Sequence, residues 1–154
     1  MPRIPNLSVT NLLVRGIYPS CTLISYTMLS TLVNHDGVVE APFNYDYGYN
    51  IHIGHNMTIS KNYTILDVCE VNIRDRYVLR PNVSIYTVTL STDPEIRVGN
   101  IGLNQAKPVV IKDDYWIGGG ATILPGRTIR KGSTVGAGSI VTKVCSQTRY
   151  AVLP

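Results

Sequence analysis

Between positions 111 and 141 the aliphatic residues recur with a period of six: Ile111, Ile117, Ile123, Ile129, Val135 and Val141. A helix face repeats about every 3.6 residues and a strand face about every 2, so a strict six fits neither as one long element. It fits a solenoid whose turns stack like on like, each hexad supplying one short strand and a corner. Gly118, Pro125, Gly126, Gly132 and Gly136 fall near the corners, where the chain must bend or approach itself closely. The same register opens earlier with Ile53, Ile59 and Ile65, slips by two to Ile73, and resumes at Leu79 and Ile85. The slip predicts a two-residue bulge at one corner within residues 67–72. Corners are where a solenoid tolerates insertion and builds sites.

From 91 to 108 the repeat stops. The stretch STDPEIRVGNIGLNQAKP is polar and carries Gly and Pro, which predicts an extended loop of functional or interfacial use. Tyr45, Tyr47 and Tyr49 alternate, which predicts that they share one face of an extended segment. Residues 1–40 read as an N-terminal arm or cap. A short helix is predicted at about 22–33, packed on the end of the solenoid to cover an open edge. The whole predicts an all-β chain: the arm, then a β-solenoid over 41–154.

Composition narrows the function. The chain has 154 residues, enough for one domain with a core, and only one Phe and one Trp. Stacked Val, Ile and Leu are therefore expected inside. The net charge is +4, yet no basic run exceeds two residues, so no nucleic-acid partner is expected. A mild positive balance favours an anionic ligand such as a nucleotide cofactor. Cys21, Cys69 and Cys145 are odd in number and far apart, with no CxxC or Cys/His cluster. Reduced thiols in a cytoplasmic protein and no metal site are expected. No stretch reaches the roughly 18 apolar residues of a membrane span. The sequons at Asn6, Asn56, Asn62 and Asn82 suit an Asn- and Thr-rich solenoid without glycosylation.

The segments PFNYDYGYNIHIGHN, ILDVC, PNVSIYT, KPVVIKDDYWIGGGATILPG and GAGSIVTK resemble the maltose/galactoside O-acetyltransferases of the hexapeptide-repeat superfamily, over residues 41–144. The resemblance implies a left-handed parallel β-helix with three strands per coil. It implies a homotrimer with sites between neighbouring subunits, acetyl-CoA as donor, and a sugar or other small hydroxyl-bearing acceptor. In the family a histidine following the PNVSIYT-like motif acts as general base on that hydroxyl. Here Leu90 stands at the position, and leucine accepts no proton. His35, His52 and His55 are the only histidines, and none falls at the matching corner. Tyr86 is closer in sequence, but a phenol titrating near 10 is a poor base.

Site by site, the resemblance implies donor contacts at Trp116, Gly119, Ala137, Thr142 and Lys143. It implies acceptor contacts around Ser60, which replaces a family Asn, and around Asn62 and Tyr86. For Asn62, Asp67 and Asn82 the competing reading is corner bonding to backbone. The family's GNPAR-like segment, whose arginines help hold CoA, finds no match in this sequence. Arg74 and Arg130 occupy family glycine positions. Tyr77 and Arg127 occupy small or Val positions, so the coil is locally distorted or Arg127 turns outward. Two functions follow: an O-acetyltransferase lacking its usual base, or a catalytically inactive structural or regulatory trimer that keeps CoA. Turning of the site to other thioester chemistry is a third.

Overall fold

The computed structural model describes residues 14–16, 38–40, 42–96 and 105–143, and every regular element among them is a strand of two to four residues. The chain turns repeatedly through three faces of a prism. Face A stacks Val14–Gly16, Phe43–Tyr45, Tyr63–Leu66, Ser84–Tyr86, Thr122–Ile123 and Ile140–Val141. Face B stacks Ile51–Ile53, Val71–Ile73, Val109–Ile111 and Thr128–Ile129. Face C stacks Val38–Val39, Met57–Ile59, Tyr77–Leu79, Tyr115–Ile117 and Thr134–Val135. Pairing within the faces is parallel throughout. The fold is the expected left-handed parallel β-helix. The proposed helix at 22–33 lies outside the described residues. Val14–Gly16 and Val38–Val39, within the segment expected to form an arm, join faces A and C as strands.

The six-residue register is the inward register. Ile111, Ile117, Ile123, Ile129 and Val135 are fully buried and Val141 nearly so. Each meets its counterpart one coil away: Ile73 pairs Ile111 and Ile111 pairs Ile129, while Leu79 pairs Ile117 and Ile117 pairs Val135. Burying one such side chain contributes about 1.5–3 kcal/mol, so the repeat is the main source of stability.

Each face has a second inward column, and here aromatics enter where aliphatics were expected. Met57, Tyr77 and Tyr115 are register partners on face C and all are buried. The Tyr77 and Tyr115 rings stack at 5.2 Å and 5°. On face A, Phe43 stacks on Tyr63 at 6.3 Å. Tyr77 is thus accommodated inside, because a ring stacked on its counterpart fills one slab of the prism. Arg127 is half-buried, and its Nε is enclosed without a hydrogen-bond partner. Tyr45 does not share a face with Tyr47 and Tyr49, whose rings lie 5.5 Å apart. The strand ends at Tyr45, which is buried, and the following bend leaves Tyr49 exposed.

Corners close on left-handed residues: Asn56, Asn62, Asn82, Gly120, Gly126, Gly132 and Gly138 all have positive φ. Asn and Gly are the residues for which that conformation costs least. Arg76 and Asp114 also adopt it, in successive coils, and they are tied together by an ion pair of 2.5 Å.

The Tyr63 and Tyr115 hydroxyls are buried with no partner among the described residues. Burial raises both pKa values well above the ordinary range, so the groups stay neutral. An unpaired buried hydroxyl costs about 1–3 kcal/mol of desolvation. Tyr115→Phe therefore raises stability by about 1 kcal/mol in urea unfolding; a loss of that size would reveal a hidden partner for the hydroxyl.

Candidate functional site

The predicted bulge lies at the corner between faces A and B. Coils one and two both carry it: Tyr45 pairs Ile65 while Ile53 pairs Ile73, so each spans eight residues across this corner. Asp67 holds the two corners together. Its carboxylate accepts the backbone N–H groups of Asp46 at 3.1 Å, Tyr47 at 2.9 Å and Gly48 at 2.7 Å, and it is fully buried. Thr87 continues the corner into the third coil. Its hydroxyl donates to the Leu66 carbonyl at 2.7 Å and accepts from the Cys69 N–H at 3.0 Å. The corner reading of Asp67 is therefore the observed one.

The long excursion leaves from the same corner. Val88–Thr89 pairs antiparallel with Gln105–Ala106, and the Lys107 N–H returns to the Thr87 carbonyl at 2.8 Å. The loop is thus an enlarged version of the bulge. Residues 97–104 within it lie outside the described residues. Leu90 follows Thr89 on the outgoing limb and is half exposed, while Tyr86 ends the face A strand and is half-buried. In the fourth coil the insertion is gone, and Ile123 leads to Ile129 in six residues.

The corner between faces C and A carries most of the other expected residues. Backbone bonds link Ser60 N–H to Leu79 O, Arg80 N–H to Ile117 O, Gly118 N–H to Val135 O, and Gly138 N–H to Gly119 O. Ser60 and Asn62 in one coil, Gly119 two coils on and Ala137 in the next therefore stand along one corner. Asn62 has φ 62° and its amide donates to Asn82 Oδ1 at 3.1 Å, so it serves the corner geometry. A Cβ at Gly119 would sit 3.1 Å from the Pro81 carbonyl, and one at Gly118 would sit 2.5 Å from the Ala137 nitrogen. Glycine here lets the coils approach, as well as leaving the outer surface low. Trp116 lies outward on face C beside its register partner Val78, both exposed.

Thr142 and Lys143 are exposed at the far end of Ile140–Val141, at the A/B corner. Among the described residues this strand has a neighbour on one side only, so its outer backbone edge is open. The residues expected to contact a donor therefore form a bent line: Trp116, then Gly119 and Ala137, then along Ile140–Val141 to Thr142 and Lys143. Tyr86 shares the A/B corner with Thr142, two coils away, and Leu90 leads outward from it. Both lie across face A from Ser60 and Asn62, at a strand's width of about 10 Å. One chain leaves Ser60 and Asn62 at the C/A corner, apart from Tyr86 and Leu90.

A residue that spacing did not single out is Asp46. It is 8 % exposed, no described residue donates to its carboxyl, and only its backbone is held by Asp67. Burial and then the Asp67 charge raise its pKa above the ordinary carboxylate value. Its sequence signal was masked by the tyrosines around it.

No family profile matches the chain. Its sequence is similar to the galactoside O-acetyltransferase of Escherichia coli, 40% identical over 111 residues, covering 72% of this chain and 54% of that protein. In structure it is similar to a maltose O-acetyltransferase from Clostridium difficile, with a TM-score of 0.70 and 43% identity over 75% of this chain and 60% of that one. It is also similar to a hexapeptide-repeat acetyltransferase from Vibrio cholerae, with a TM-score of 0.69 and 32% identity over 78% of this chain and 69% of that one. That Vibrio protein has also been solved with acetyl coenzyme A. The chain spans about half the length of the curated relatives it matches.

Asp46 gives this corner a pH signature. A raised pKa means that the folded state holds the proton longer than the unfolded chain, so stability falls as pH climbs upward from about 3.8. Asp46→Asn removes that loss. The variant is more stable than the parent at pH 7, and the gap closes towards pH 4, in parallel urea titrations; a gap that widens on acidification would reverse the assigned direction.

Proposed function

The chain belongs to the hexapeptide-repeat acetyltransferases of the maltose/galactoside type, and from that premise we propose that it holds acetyl-CoA as donor and offers it to a hydroxyl of a sugar or another small molecule. The observation that carries this reading is the bent donor line on the last coils. Trp116 and Val78 provide an exposed apolar strip, and Gly119, Gly120, Ala137 and Gly138 keep the adjoining corner free of long side chains. A thin amide-bearing arm fits that relief, with the open edge of Ile140–Val141 available to its amides. Lys143 offers a charge to phosphates. The complex of the Vibrio cholerae relative with acetyl coenzyme A supports the same choice of donor.

Bound acetyl-CoA would supply an activated carbonyl; the acceptor oxygen bonds to that carbon, the carbon–sulfur bond breaks, and the hydroxyl proton must go to a base. Leu90 cannot take it. Among the described residues the histidines are His52 and His55, and both lie by the corner between faces B and C. Loss of a positioned base costs about 10²–10⁴ in rate, so transfer by this chain is slow. The separation of Leu90 from Trp116, Gly119 and Ala137, across face A, supports a homotrimer, in which one chain's A/B corner would face a neighbour's C/A corner. A second reading, a trimer that retains CoA without turnover, is favoured by the exposed Leu90 side chain.

The chain's one tryptophan makes the test direct. Acetyl-CoA and desacetyl CoA quench Trp116 fluorescence saturably in both the parent and Leu90→His. Thiol release with a panel of sugars is about 10²–10⁴ faster in Leu90→His. Equal rates in the two proteins would mean that another group serves as base, and absence of quenching in both would remove the donor site.

A further inference from the structure

We propose that Arg127, with Lys107 and Lys143, forms a phosphate site at the A/B corner of the last coils, and that it holds the nucleotide end of CoA; the choice of ligand rests on the donor reading above. Arg127 stands where the fold calls for an aliphatic. Val110 pairs Thr128, so Arg127 follows Ile51, Val71 and Val109 in the inward column of face B nearest this corner. Those three are buried in the core. Arg127 is half-buried, with its Nε enclosed and unpartnered, while the Nη groups beyond it reach the surface. A stem threaded through the interior fixes where such a head emerges. An enclosed cationic N–H without an acceptor is costly, and an anion bound at the head relieves that cost.

Two lysines converge on the same corner. The Lys107 stem lies over Gly126: a Cβ on that glycine would come 3.1 Å from Lys107 Cδ and 3.2 Å from its Cβ. Lys143 arrives from the next coil. Ile123 pairs Val141 and the Leu124 N–H donates to the Val141 carbonyl, which stacks Thr142 and Lys143 on Leu124 and Pro125. Both lysines are exposed. The three cations come from three successive coils, and the outer two stand roughly 10 Å apart, two strand spacings.

The acids of this corner are placed elsewhere. Asp46, Asp67 and Glu70 belong to the first two coils; Asp67 is spent on three backbone N–H groups, and Glu70 accepts from the Asn72 carboxamide. On the excursion, Asp93 Oδ1 accepts the Glu95 N–H. The ion pairs among the described residues join Asp114 to Arg76 and Lys131, and none includes Lys107, Arg127 or Lys143. Cations spread over two strand steps without a counter-ion suit a ligand with more than one phosphate group. The nucleotide end of CoA is such a ligand, since it carries a diphosphate and a separate ribose phosphate. The guanidinium can grip one phosphate with two N–H groups, and each lysine supplies a point charge.

The test uses the full chain and three probes. Trp116 quenching is titrated with CoA and with pantetheine, which keeps the thiol arm and has no phosphate, and inorganic pyrophosphate is followed by thermal shift. Arg127→Val restores the aliphatic column and melts no lower than the parent. It weakens CoA about tenfold, the loss of one charge-assisted hydrogen bond, and leaves pantetheine binding unchanged. Lys107→Gln weakens CoA severalfold. Pyrophosphate raises the melting temperature of the parent and not that of Arg127→Val. Arg130→Gln removes a charge at the B/C corner and alters none of these readings, which separates a local site from net charge. Equal CoA binding by the parent and Arg127→Val would overturn the proposal, as would equal stabilisation of the two by pyrophosphate. Arg127-dependent stabilisation by pyrophosphate, with no quenching by CoA or pantetheine, would overturn the donor reading and uphold the phosphate site.

Discussion

A coil can stack on the next only where each inward side chain meets its own counterpart. The parallel ladder sets that condition, because it repeats every backbone position at one strand spacing and leaves no freedom to stagger. Ile73, Ile111 and Ile129 satisfy it on face B, and Leu79, Ile117 and Val135 on face C. Tyr77 on Tyr115 satisfies it too, since two flat rings stack as well as two branched chains. Among the described residues the Tyr63 and Tyr115 hydroxyls find no partner inside the prism, whereas that of Tyr77 donates to the Met57 sulfur.

The same ladder turns sequence into columns at the corners, and the three corners use this differently. At the A/B corner, Asp67 gathers three backbone N–H groups and makes an insertion stable in the first two coils. The third coil enlarges that insertion into the excursion that carries Leu90. The C/A corner is pared down to Gly and Ala in its last two coils, while Lys61 and Arg80 stand exposed in the two coils before them. At the B/C corner, column follows column of charge, paired at Arg76 and Asp114 and unpaired at Arg74, Lys112 and Arg130.

Function follows from which columns end up together. Trp116, Gly119 and Ala137 converge because faces C and A share an edge, and Thr142 and Lys143 extend the line along the last described strand. Leu90 stands at the A/B corner, across face A from Trp116, Gly119 and Ala137.

The period of six was enough by itself to determine the solenoid, its inward positions and the corner that bulges, because the inward condition is strictly periodic and every coil repeats it. The motifs carried only an expectation of donor positions, by resemblance, residue by residue. Only the tertiary structure decided what the second inward column would tolerate, since Tyr77 is unwelcome until Tyr115 is found stacked upon it. It also separated Tyr45 from Tyr49, because the strand ends where the corner bonds of Asp67 begin. The buried carboxyl of Asp46 and the meeting of Lys107, Arg127 and Lys143 were hidden for one reason. Each depends on neighbours a coil or more away along the chain, and coil stacking, not local sequence, supplies them.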